Sequence, residues 1–240
     1  MFDQGPHVVL RRDGVCLVLK TPEGEMPQVE YWGGDFGITS DESALNQLDA
    51  MTLKVTPPQE KPDAALRPSL LPQGAEAFAG RPGLEAYRGG KPVFVRWASV
   101  TVSPIAAGGE TEANALNVVA EDAANAVKLE LKLSIKKGGL VLVEQTVTNI
   151  DATDNPDAAA LTVNWLESTL PMPRRADTLT QFTGRWPLEK QPRTAVMPSG
   201  SVTRECRHGK TSHESPWMFI ASDGEPKWSE GEVWACHLAW

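Results

Sequence analysis

Val127-Lys128-Leu129-Glu130-Leu131-Lys132-Leu133-Ser134-Ile135 alternates apolar and polar residues without a break. A period of two aims Val127, Leu129, Leu131, Leu133 and Ile135 at one face and the intervening residues at the other, the signature of a half-buried strand. The following Lys136-Lys137-Gly138-Gly139 supplies two residues able to take positive φ, and 140–150 is again rich in β-formers. The pair predicts a hairpin.

Outward from it, similar runs occupy 7–12, 15–20, 28–32, 93–102, 160–167, 202–206, 217–222 and 232–240. Asp13-Gly14, Gly89-Gly90, Asp223-Gly224 and Glu230-Gly231 supply turn signals between many of them. Only 40–51 and 121–126 invite helical turns, and no amphipathic helix recurs between strands as βαβ units require. An all-β, antiparallel fold is expected, read as one domain over 1–240. The proline-rich stretch 56–72, with Pro57, Pro58, Pro62, Pro68 and Pro72, reads as a long surface loop and a candidate contact surface. Val233 to Trp240 is a strong strand that runs to the last residue, from which more protein is expected beyond it.

The chain of 240 residues is 41% hydrophobic and 22% charged, so it has the means to build a core. Its formal net charge of -8 lacks the basic footprint of nucleic-acid binding. No apolar run approaches the roughly 20 residues of a membrane span. Met1-Phe2-Asp3-Gln4-Gly5-Pro6 does not read as a signal peptide, and Cys16, Cys206 and Cys236 are odd in number and far apart. A cytoplasmic protein with reduced thiols is the expectation.

Cys206, His208 and His213 suggest zinc only superficially, because the spacing fits no common closed site and Arg204, Arg207 and Lys210 oppose a dication. Ser212-His213-Glu214 is no triad, since sequence neighbours on an extended segment point apart. No nucleophile elbow or phosphate loop occurs, and no metal or cofactor is expected. Asp35, Asp41, Glu76, Glu167, Glu205 and Glu214 lie near aromatic or arginine residues, but sequence picks no acid–base pair among them. Eight tryptophans against two tyrosines is a better lead, because indole stacks on the apolar face of sugars. Trp97, Trp165, Trp217 and Trp234 are expected in the core, and Trp32, beside Gly33-Gly34-Asp35, on an exposed rim.

Several segments together resemble the N-terminal β domain of glycoside hydrolase family 36, the α-galactosidases. Ser201-Val202-Thr203-Arg204-Glu205-Cys206-Arg207-His208-Gly209-Lys210-Thr211-Ser212-His213 is similar to the family's Glu-Ser-Arg-Arg-Gly-x-Thr-Ser-His stretch. Phe182-Thr183-Gly184-Arg185-Trp186 precedes it, the run from Gly231 to Trp240 follows it, and Gln28-Val29-Glu30-Tyr31-Trp32-Gly33 resembles the early Trp-Gly element.

The resemblance implies an antiparallel β-supersandwich of the galactose-mutarotase type, cut before a (β/α)8 barrel that carries both catalytic aspartates of a retaining mechanism. It therefore implies no catalytic residue in this chain. It implies a parent α-galactosidase acting on terminal α-galactose of oligosaccharides such as raffinose or melibiose, a homotetramer, and an N-terminal domain that supports the barrel and reaches a neighbouring substrate pocket. Trp32, Arg81 and, third, Asp35 are the substrate-proximal residues expected on that basis. The acid that family members carry ahead of an aromatic and Arg-x-Pro is absent from Phe78-Ala79-Gly80-Arg81-Pro82-Gly83-Leu84. The alternative is a stand-alone carbohydrate-binding or assembly module without hydrolase activity.

Overall fold

The computed structural model describes residues 7–52, 67–76, 78, 80–106, 113–151, 160–203 and 218–237. The chain divides into two compact units, Met1–Pro171 and Met172–Trp240. Every strand pairing among the described residues is antiparallel, as expected.

Among the described residues, the first unit holds three sheets. One is β1 (His7–Arg12), β2 (Val15–Lys20) and β3 (Gln28–Gly34), followed in the chain by helix α1 (Glu42–Thr52). The second orders β10 (Leu161–Leu166), β4 (Leu84–Arg88) and β5 (Lys91–Val93). The third runs β6 (Ser99–Ile105), β7 (Ala115–Asp122), β8 (Val127–Ile135) and β9 (Val141–Asn149). The alternation in β8 does what its period requires: Val127, Leu129, Leu131, Leu133 and Ile135 are all buried. They share one core with Leu10, Leu17 and Leu19 of the first sheet and Leu84 and Ala86 of the second, so the three sheets bury their inner faces together. Strand β2 is covered on both sides, because Cys16 and Val18 form a second cluster with Ile38 and Leu45 of α1. That is why Val15-Cys16-Leu17-Val18-Leu19 reads as an unbroken apolar run rather than an alternating one.

The expected hairpin forms, with Gly138 and Gly139 at φ 82 and 78. Its turn abuts the β1–β2 turn: the Gly138 amide donates to Asp13 Oδ2 at 2.7 Å, and a side chain at Gly139 would strike Val15. With β1 lying against β8 as well, this end of the strand is covered, and Ser134, expected in water, is buried. Pro92, Pro104 and Pro192 sit in β5, β6 and β12 (Leu188–Val196), each an edge strand of its sheet, where a missing amide hydrogen costs no ladder bond.

Other expectations are corrected. Residues 121–126 are not helical: β7 runs to Asp122, whose Oδ1 accepts the Asn125 amide at 3.0 Å, and the turn ends with Ala126 at φ 52. Such side-chain capture of backbone amides competes with helix formation. The run 93–102 is two strands, not one, because the Arg96 amide is taken by Asp122 Oδ2 at 2.8 Å instead of by a neighbouring strand. Of the stretch expected as a surface loop, residues 56–66 lie outside the described residues, while Leu70 and Leu71 are fully buried in the main core and the Leu70 amide bonds Pro27 O. Two adjacent leucines bury more apolar area than their prolines deny in ladder bonds.

Among its described residues the second unit forms one sheet, ordered β12 (Leu188–Val196), β11 (Ala176–Arg185), β13 (Met218–Asp223) and β14 (Val233–His237). Trp234 is buried as expected. Strand β12 carried no sequence signal, since both of its faces are largely exposed and it has no alternation to read. Residues 202 and 203 form no strand, and 204–206, 217 and 238–240 lie outside the described residues. No helix among the described residues is long and apolar enough to cross a membrane.

Candidate functional site

Two single-residue bulges decide which way the aromatic residues face. In β10, Val163 pairs with Ala86 but Trp165 pairs with Glu85, so Asn164 is an extra residue. Plain alternation would put Trp165 on the same face as Leu161 and Val163, toward the core where the sequence reading placed it. The bulge turns it instead to the outer face of the β10–β4–β5 sheet, beside Glu85. In β3, Tyr31 pairs with Val18 and Val29 with Leu19, leaving Glu30 extra. Here the shift sends Tyr31 to the α1 side and Trp32 to the main core, against which its ring lies half-buried. The expected exposed rim position of Trp32 is therefore corrected by the same device that overturns the core assignment of Trp165.

Arg81 completes the outer-face cluster. Its Cζ lies 3.6 Å from the centroid of the Trp165 ring, and Nε and Nη2 donate to the two Glu85 oxygens at 3.2 and 2.8 Å. The fork on Glu85 fixes the guanidinium in plane, and the indole supports it from below. These hydrogen bonds hold the Glu85 carboxyl below its usual range. Glu167, two residues beyond Trp165, is pushed up by partial burial, against the pull of the Arg81 charge. Tyr87, two residues beyond Glu85 on the same strand face, is 38% exposed.

The backbone explains why Arg81 arrives here. The Gly83 amide donates to Pro72 O and the Gly83 carbonyl accepts from Glu167 N, both at 2.8 Å, so the chain passes between two segments just before β4 begins. A Cβ at Gly83 would lie 2.8 Å from Leu71 Cγ and 2.9 Å from Glu167 O. Gly83→Ala should cost about 1–3 kcal/mol through overpacking against backbone. Urea denaturation checks it, and an unchanged midpoint would show that the passage has slack.

The three residues singled out from the sequence have separate surroundings. Arg81 is held by Trp165 and Glu85. Asp35 Oδ1 accepts the Gly37 amide at 2.9 Å, Oδ2 lies 3.6 Å from Arg11 Nε, and its own amide bonds Gly14 O, so this acid ties a turn to the β1–β2 hairpin. Trp32 contributes to the core. Sequence reasoning missed Glu85, although its spacing of four from Arg81 was available, and misplaced Trp165, for which a bulge left no signal. Trp97 lies half-buried against the main core, close to expectation. Glu205, Cys206, His208, Ser212, His213, Glu214, Trp217 and the whole 204–213 family stretch lie outside the described residues. Among the described residues no three His, Cys, Asp or Glu side chains gather as metal ligands.

Two further polar clusters serve the fold. Arg88 lines an open hollow of about 250 Å³ and is engaged by Asp151, Asn149 and two turn carbonyls. Glu30, wholly buried by its bulge, faces His7, Asp49 and Arg67 beneath α1.

A family model described as the glycosyl hydrolase family 36 N-terminal domain matches residues 25–240. An α-galactosidase of Escherichia coli is 31% identical over 176 residues, covering 72% of this chain and 22% of its own length. Among solved structures, a family 36 α-galactosidase of Geobacillus stearothermophilus in complex with raffinose superposes with a TM-score of 0.70 at 16% identity, over 95% of this chain and 33% of that one. The α-galactosidase of Lactobacillus brevis gives a TM-score of 0.65 at 14% identity, over 95% and 34%. The chain thus spans about a fifth of the curated relative and a third of each solved structure, and the fold is theirs.

Proposed function

Because the chain belongs to the glycosyl hydrolase family 36 N-terminal domain family, we propose that it is the non-catalytic N-terminal domain of a retaining α-galactosidase. The parent protein hydrolyses terminal non-reducing α-D-galactose from oligosaccharides of the raffinose and melibiose kind, with both catalytic carboxylates supplied by a (β/α)8 barrel outside these residues. The whole of 1–240 acts as one β-supersandwich domain that supports the barrel within a cytoplasmic homotetramer.

The observation that carries a substrate role for this domain is the Arg81–Trp165–Glu85 cluster: a guanidinium presented on an outer sheet face, bonded to one carboxylate and felt by a second, Glu167. Guanidinium and carboxylate groups together donate to and accept from sugar hydroxyls. Arg81 is the residue we assign to the sugar. Trp32 and Asp35 serve the first sheet itself, Trp32 by packing on the main core and Asp35 by fixing the turn that follows β3.

The test is stereochemical. The protein that carries this domain, incubated with an α-galactoside and followed by proton NMR from the first turnovers, should release galactose as the α-anomer. First-formed β-galactose, or no release of galactose, would overturn the reading.

A further inference from the structure

Arg81 is half-exposed, and a free arginine at such a position samples many rotamers. Here two contacts from different strands restrict it. Glu85, the second residue of β4, takes Nε and Nη2 in a fork. The Arg81 Cζ lies over the ring of Trp165, placed opposite Glu85 by the Asn164 bulge, 3.6 Å from its centroid. A fork and a stacking plane together define position, tilt and rotation of the group. Among the described residues no hydrogen bond is formed by Nη1, so the donors left over are those on the edge away from Glu85.

As a stabilising device the arrangement is weak. The ion pair is exposed at 50% for Arg81 and 33% for Glu85, a setting in which such pairs contribute little. Yet the chain spends a bulge, which interrupts a ladder, to bring the indole to that spot. The geometry makes sense for presenting a group, not for holding the sheet together.

We propose that Glu85 and Trp165 are positioning residues that hold the Arg81 guanidinium in a preset orientation for a sugar hydroxyl. This rests on the assignment of Arg81 to the sugar under Proposed function. Glu85 and Trp165 do not touch the sugar; they reduce the ordering that Arg81 must undergo on binding, which is where preorganisation gains affinity.

The test uses the protein that carries this domain, arginine-labelled and with its barrel nucleophile removed so that raffinose is bound and not turned over. In the unliganded wild type the Arg81 side-chain protons should be shifted upfield by the Trp165 ring current. Their absence from the upfield region overturns the proposal whatever raffinose does. Raffinose should then perturb the Arg81 Nε–H resonance saturably. Glu85→Gln and Trp165→Leu should each weaken raffinose binding about three- to fivefold, and Trp165→Phe, which keeps a stacking face, should recover most of the loss.

Arg81→Ala should weaken binding about tenfold or more, and adding Glu85→Gln to it should have no further effect. If Arg81→Ala binds raffinose as the wild type does, or the wild type shows no saturable response, the assignment of Arg81 to the sugar fails. If Arg81→Ala loses binding while Glu85→Gln and Trp165→Leu retain it, only the positioning inference fails. Melting temperatures within about 2 °C of wild type for the single variants exclude loss of folding as the cause, since exposed pairs contribute little stability.

Discussion

Arg88→Ala should destabilise the first unit by about 2–4 kcal/mol, the cost of leaving a mostly buried carboxylate and several carbonyls without their donor. Arg88 Nη1 bonds Asp151 Oδ2 at 3.1 Å, with the two side chains 18% and 17% exposed. Nη2 donates to Asn125 O and Asn149 Oδ1 at 3.0 Å each, and lies 3.4 Å from Ala126 O. One guanidinium thereby joins the end of β4, the β7–β8 turn, and the end of β9 with Asp151 just beyond it. The turn it caps includes Ala126 at φ 52, a conformation that alanine adopts only when its surroundings demand it.

Arg88→Lys should recover only part of the loss, because an ammonium is a point charge and cannot serve acceptors on two sides of a planar fork. Urea denaturation followed by far-UV circular dichroism measures both variants. A midpoint for Arg88→Ala equal to that of wild type would mean that water replaces the guanidinium at no cost, and the clamp would be ornamental.

The strands were legible where pattern and surroundings agree. Strand β8 lies in the interior of its sheet with one face on the core, so as far as Leu133 a period of two in the residues is a period of two in burial. Strand β2 is covered on both faces, and a continuous apolar run matches that. What the sequence could not express is the bulge. An extra residue at Glu30 or Asn164 changes no composition and leaves the apolar count of the run untouched, yet it reverses the facing of everything that follows.

The two tryptophans on which the site reading depended stand directly after those two bulges, Trp32 two residues beyond Glu30 and Trp165 one beyond Asn164. Their assignments were therefore exchanged in effect: the one expected on a rim packs on the core, and the one expected in the core carries Arg81. Arg81 was found through resemblance to a family motif, and its partners are close only in three dimensions, apart from Glu85. Strand β12 was illegible for a different reason, since an edge strand exposed on both faces needs no hydrophobic alternation.

The bulge at Glu30 has a second effect, and it sets the pH dependence of stability. It leaves Glu30 with a side chain that is wholly buried and two oxygens that have no hydrogen-bond partner among the described residues. The groups facing it are His7 Nε2 from β1 at 3.5 Å, Lys20 from β2, Asp49 from α1, and Arg67 at 3.9 Å. Glu42 of α1 lies beyond, on the other nitrogen of His7. Asp49 is itself held by Lys20 at 2.9 Å and by Arg67 at 2.5 Å; burial would raise its carboxyl, but Lys20, the Glu30 carboxyl beside it and Arg67 together outweigh this and hold it below its usual range. Two cations are thus already engaged by one carboxylate, and a second negative charge beside it is opposed first by burial and then by Asp49. The Glu30 carboxyl is raised from 4.5 to about 8.

Between those two values the folded protein keeps a proton that the unfolded chain has released, so stability falls as pH rises. The contribution is fully present below about 4.5 and lost as pH passes about 8. Its full size is on the order of 5 kcal/mol, from about 1.4 kcal/mol per unit of pKa difference.

Glu30→Gln mimics the protonated acid in shape and hydrogen-bonding groups without the titration. It should match wild type near pH 4.5, exceed it by a few kcal/mol at pH 8.5, and remove most of the slope between. Urea denaturation at several pH values from 4.5 to 8.5 reads this directly. Parallel slopes for the two proteins would assign the pH dependence to other groups and leave Glu30 ionised in the fold, with Lys20 and Arg67 shared between two carboxylates.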